Sequence, residues 1–113
     1  MEKIVEQGLL YDFYGELLTD HQRHVYEDVV FKDMSLSEIA EEQGISRQGV
    51  HDLINRCDRI LAGYEEKLRM VEKFNQTKRM VEEIKTLAGT YKKNGDMSLI
   101  DRIEAISEEI GQL

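Results

Sequence analysis

Proline is absent from the 113 residues, aromatic side chains make up only 7%, and cysteine occurs once. With no proline, no position is barred from a helix interior. A chain rich in Glu, Lys, Leu and Ile, with no stretch alternating at period two, reads as all-α. No apolar run approaches the roughly 18 residues that a membrane span needs. The opening Met-Glu-Lys-Ile-Val-Glu has no basic segment followed by an apolar core, so no signal peptide is expected. A lone cysteine excludes a disulfide framework and fits a cytoplasmic protein.

Positive charge is scarce as well. The chain carries 15 Lys and Arg against 23 Asp and Glu, a net charge of −8, which argues against indiscriminate binding to nucleic acid. No segment is basic. Residues 1–34 hold three basic and eight acidic residues, residues 35–62 three and five, and residues 63–113 nine and ten. Phosphate contacts supply most of the affinity of a DNA-binding protein, so this balance weighs against one.

Catalytic chemistry is missing too. There is no Gly-rich phosphate loop, metal-ligand cluster or nucleophile with a base at workable spacing, so neither an enzyme nor a cofactor is expected. Cys57 and His51 fall on roughly opposite sides of one helix. His21 and His24 are spaced i, i+3, where a metal pair would use i, i+4 or further Cys and His ligands. A surface or capping role is expected for both.

What is present is Ser35 to Arg56, which reads as a helix-turn-helix. Ser35 followed by Glu38 is a capping box, and losing the serine cap should cost about 1 kcal/mol. Leu36, Ile39 and Ala40 share one face, with Glu38, Glu41, Glu42 and Gln43 opposite. Gly44 stops the helix because glycine takes the left-handed position at little steric cost. Ile45 is expected to plug the corner, and Ser46 to cap the second helix. Val50, Leu53, Ile54 and Cys57 form its buried stripe. Arg47, Gln48, His51, Asp52, Asn55 and Arg56 form its outward face and are the candidate DNA contacts. Arg56 and Arg59 suit phosphate, with Lys32 assisting. The competing reading of these residues is a solvated face with intrahelical pairs such as Asp52 with Arg56.

Around this unit the chain reads as helices. Residues 2–18 carry a wide apolar stripe of Val5, Leu9, Leu10, Phe13, Tyr14, Leu17 and Leu18, part of which could face another chain. Thr19 caps the next helix with Gln22 as reciprocal partner. Val25, Tyr26, Val29 and Val30 form that helix's inner face, and Phe31 closes its end. From Arg47 to Tyr91 one straight helix would extend about 65 Å, too long for a compact domain. A break near Gly63 is therefore expected, followed by a long helix. Its seam (Leu68, Val71, Phe74, Lys78, Val81, Ile84, Leu87, Ala88, Tyr91) has heptad-like spacing and suits a homodimer. Asn94-Gly95 is a turn, and Ser98 with Asp101 restarts a short helix that folds back as an αα-hairpin. The domains expected are residues 1–62, containing the helix-turn-helix at 35–57, and a helical extension at 63–113 that supports dimerisation.

Leu18-Thr19-Asp20-His21-Gln22-Arg23, Leu36-Ser37-Glu38-Ile39-Ala40 and Gly44-Ile45-Ser46-Arg47-Gln48-Gly49-Val50 resemble region 4 of bacterial sigma factors. That domain reads DNA with a helix-turn-helix and no wing. With no segment ahead of residue 1 to bind the other promoter element, a complete sigma factor is not expected. Asp52 and Asp58 interrupt the basic run usual in sigma reading helices. Tyr11-Asp12-Phe13-Tyr14-Gly15-Glu16-Leu17-Leu18-Thr19, Ser46 to Asp52 and Leu61-Ala62-Gly63-Tyr64-Glu65-Glu66-Lys67-Leu68 resemble the YlxM-type family. These are small bacterial helix-turn-helix proteins encoded beside the signal recognition particle GTPases. The resemblance covers about residues 1–90. It implies a regulatory protein binding double-stranded DNA, with a place in the signal recognition particle pathway. The alternative is a protein-interaction adaptor that keeps the fold without the DNA and engages signal recognition particle components through its acidic first 34 residues.

Overall fold

The computed structural model describes residues 3–113, so the expected start of the first helix at residue 2 lies outside the described residues. Among them are six α-helices and no strand. They form two compact units, one ending at Val71 and the other spanning Glu72–Leu113.

The first unit is built around its longest helix. α1 (Lys3–Tyr14) runs into a 3₁₀ turn at Gly15–Leu17, then α2 (Asp20–Val30), α3 (Leu36–Gln43) and α4 (Arg47–Leu68) follow. α4 packs against α1, α2 and α3 alike. It contributes Val50, Ile54, Cys57 and Leu61 to a core completed by Tyr14 and Leu18, by Val25, Tyr26 and Val30, and by Ile39 and Ala40. Spacings of three and four put these α4 residues on one stripe, which is why one helix can bury against three neighbours.

The first helix is shorter than its apolar stripe suggests. α1 ends at Tyr14, where a Cβ on Gly15 would fall 2.7 Å from the Tyr11 ring. That ring stacks on Tyr26 at 5.6 Å and meets Phe31 edge-on at 5.3 Å. Phe31 still caps α2, but is exposed rather than closed over. The outer members of the stripe, Val5 and Leu17, are about half exposed.

The caps form where the sequence places them. Thr19 Oγ1 accepts from the Gln22 backbone N–H, and the Gln22 side chain accepts from the Thr19 N–H, a complete capping box. At Ser35 only half of the box is made: the serine Oγ accepts from the Glu38 N–H at 3.1 Å.

The break expected near Gly63 falls instead at Arg69, which sits in the left-handed region at φ 54°. Gly63 lies inside α4. The cause is a tertiary cap. Tyr14, buried in the core, donates its hydroxyl to Glu65 Oε1 at 2.6 Å and accepts the Met70 N–H at 3.1 Å. Glu65 Oε1 also accepts the Val71 N–H at 3.0 Å. Two of the otherwise orphaned N–H groups that open α5 are satisfied in this way, and burial of Val71 fixes the position.

In the second unit, α5 (Met70–Asn94) continues to a turn with Gly95 at φ 65°, and α6 (Ser98–Gly111) follows. Arg102 of α6 donates to Glu83 of α5 at 2.8 Å, joining the two helices of the hairpin. Ser98 is the first residue of α6, and Met97 before it makes no side-chain cap. The Asp96 carboxylate accepts both the N–H and the hydroxyl of Ser98, and these bonds hold its pKa below the usual carboxylate range. On α5, Lys78 lies with its ammonium 5.5 Å from the Phe74 ring centroid, so this interruption of the apolar seam is packed on its neighbour.

Candidate nucleic-acid interface

The α3–α4 turn is set by three residues. Gly44 takes φ 68°, and its N–H and that of Ile45 both reach the Ala40 carbonyl. Ser46 then caps α4, its Oγ accepting the Gly49 N–H at 2.9 Å. Ile45 does not plug the corner. It is 41% exposed and lies against Gly49, where an added Cβ would come within 3.7 Å of it.

This turn starts α4 with its polar face to solvent. Arg47, Gln48, His51, Asp52, Arg56 and Arg59 are exposed, and Asn55 is half-buried. The six exposed residues divide between two grooves. Arg47, Gln48 and His51 line one with Leu36 of α3. Asp52, Arg56 and Arg59 line the other, a cavity of about 480 Å³ walled by Thr19, His21 and Gln22 at the start of α2. The α2 terminus was not among the expected contacts. Its capping box is visible in the sequence, but its place beside Arg56 and Arg59 depends on packing across α4.

Intrahelical pairing is partial. Gln48 Nε2 donates to Asp52 Oδ1 at 2.9 Å, so Asp52 pairs with Gln48 rather than with Arg56. Asn55 Nδ2 lies 3.3 Å from His51 Nδ1. Lys32 sits apart from the α4 face, 3.4 Å from Asp28 Oδ1.

Asp58 has a different role from the one its charge suggests. It turns inward and accepts the Tyr26 hydroxyl at 2.6 Å and Gln7 Nε2 at 3.1 and 3.2 Å. It thereby ties α1 and α2 to α4 and fixes the exposed face. Burial, then the Asp58 hydrogen bond and charge, push the pKa of the Tyr26 hydroxyl far above its ordinary value. Cys57 is fully buried, and desolvation followed by the Asp58 charge pushes its thiol up to about 11. A thiol so protected is a packing group, not a nucleophile.

His24 has partners that the sequence did not suggest. Its Nε2 lies 3.5 Å from Asp28 Oδ2 one turn on, and 3.8 Å from Glu42 Oε1 of α3. No helix among the described residues is long and apolar enough to cross a membrane.

Comparison with known proteins agrees with this architecture. The family model described as "Putative helix-turn-helix protein, YlxM / p13 like" matches residues 1–102. A UPF0122 protein of Shouchella clausii is 40% identical over 107 residues, 94% of this chain and 98% of its own length. UPF0122 protein YlxM of Bacillus subtilis is 39% identical over 107 residues, 94% and 97% of the two chains. A UPF0122 protein of Acetivibrio thermocellus is 41% identical over 114 residues, 97% of each. Domain architecture, turn geometry and likeness along nearly the whole chain lead to one conclusion: this chain belongs to the UPF0122 family of YlxM/p13-like helix-turn-helix proteins.

Proposed function

We propose that this protein is a cytoplasmic DNA-binding regulator that lays the start of α4 in the major groove. The observation that carries the reading is the Gly44–Ser46 turn, which leaves Arg47 and Gln48 exposed on the first turn of a helix whose opposite side is core. Arg pairs bidentately with guanine, and Gln with adenine. Arg56, Arg59 and the start of α2 border a single groove, an arrangement suited to a phosphate beside the reading site. Transcriptional control, within the signal recognition particle pathway, is the role that the family resemblance favours.

Fluorescence anisotropy tests this, using duplex from the protein's own upstream region and a scrambled control at low and physiological salt. Specific binding that falls steeply with salt is expected. Arg56→Ala and Arg59→Ala should each weaken binding evenly across sequences and reduce the salt slope by about one. No binding at low salt overturns the reading.

A second reading has its own observation. Glu38, Glu41 and Glu42 are exposed on α3, adding to the acidic first 34 residues. An adaptor using this surface would co-purify with the signal recognition particle GTPases after nuclease treatment, and dissociation by nuclease would count against it. Self-association through α5, where Phe74 and Val81 are 40% and 50% exposed, completes the proposal. Sedimentation equilibrium should return twice the 13.2 kDa chain mass, and a monomer rejects it.

A further inference from the structure

We propose that His24, Asp28 and Glu42 form a binding site for a divalent transition metal such as Zn²⁺, bridging α2 and α3. Asp28 is the one buried charged side chain among the described residues, 2% exposed. A carboxylate is rarely placed there without a compensating cation. Lys32 Nζ approaches one oxygen, Oδ1, at 3.4 Å, and His24 Nε2 approaches the other, Oδ2, at 3.5 Å. Both distances are longer than the roughly 2.7–2.9 Å of a charge-assisted hydrogen bond.

The spacing suits a metal. One ligand atom from each of the three residues can be chosen so that all lie within 4.8 Å of one another. Bonds of about 2.0–2.1 Å in a tetrahedral site put ligand atoms about 3.3–3.5 Å apart. The His24–Asp28 edge is 3.5 Å and the His24–Glu42 edge 3.8 Å. The Glu42 side chain is about half exposed and can rotate to close the remaining edge.

The donor set narrows the ion. Mg²⁺ and Ca²⁺ prefer six or more oxygens, whereas an imidazole with two carboxylates favours Zn²⁺ and its neighbours. Two carboxylates, a neutral imidazole and one lysine leave a net negative charge for a dication to offset. Water would complete the shell on the exposed side of His24. The i, i+4 pair on α2 and the single ligand on α3 mean that a bound ion would pin the first helix of the helix-turn-helix to its neighbour.

The test is calorimetric titration of the full chain with ZnCl₂, with Co²⁺ absorption reporting tetrahedral coordination. One ion per chain is expected, with MgCl₂ giving no heat at the same concentration. His24→Ala and Glu42→Ala should each weaken binding on the order of 100-fold, at least matching the usual effect of disturbing a ligand's support. Both side chains are about half exposed, so folding, followed by circular dichroism, should be unchanged. His21→Ala and His51→Ala should bind like the parent. Absence of binding, or parent affinity in either His24→Ala or Glu42→Ala, overturns the site.

Discussion

Asp58→Ala is expected to lower the free energy of unfolding by about 3 kcal/mol, read from urea midpoints at constant slope. The change removes the acceptor of the fully buried Tyr26 hydroxyl and of Gln7. An orphaned buried polar group costs about 1–3 kcal/mol, and a cavity adds to it. Tyr26→Phe in the Asp58→Ala background removes the orphan and should recover much of the loss. Tyr26→Phe alone should cost less, about 1 kcal/mol, because Gln7 still bonds the carboxylate. A cycle showing simple additivity would mean that the two groups do not act together.

The same pair contributes to the response to alkali. Folded Tyr26 keeps its proton well above the pH at which an unfolded tyrosine loses it, about 10. Above that pH the unfolded chain binds fewer protons than the folded one, so stability falls as pH rises. Cys57, pushed up to about 11, acts in the same sense from about pH 9 upward. Tyr26→Phe should lessen the decline above about pH 10 and leave in place the contributions of Cys57 and of Tyr11 and Tyr14, whose hydroxyls burial also pushes up.

Arg47→Ala with Gln48→Ala is expected to abolish discrimination between the upstream duplex and its scrambled control. Each bidentate contact contributes about 1–3 kcal/mol of discrimination, so the pair corresponds to roughly 30-fold or more in relative affinity. Non-specific binding should persist, because Arg56 and Arg59 are untouched and lie along the other groove. Stability should change by less than about 0.5 kcal/mol, as both side chains are exposed and Gln48 gives up only its bond to Asp52. Retained discrimination in a folded double variant would remove these two residues from the reading site.

The local punctuation of this fold was determined by sequence alone. Thr19, Ser35 and Ser46 cap through hydrogen bonds that span three residues, and Gly44 and Gly95 adopt the positive φ that their lack of a Cβ allows. Such contacts depend on near neighbours in the chain, so residue type and spacing suffice to place them. The α4 stripe, and the exposed face opposite it, follow from the same periodicity.

Tertiary structure decided the rest, because the groups concerned are distant in sequence and ambiguous alone. Gly63 looks like the weak point of a long helix, yet α4 continues through it and ends at Arg69, where Tyr14 and Glu65 supply the cap. Tyr14 is separated from Met70 by 56 residues, and no local pattern links them. Asp58 reads as a charge interrupting a basic face, but packing turns it toward Tyr26 and Gln7. His24 and Glu42 meet only because α2 and α3 fold together over the core. Spacing along a helix reveals which side of it is buried; only packing reveals which polar group from elsewhere in the chain waits on that side.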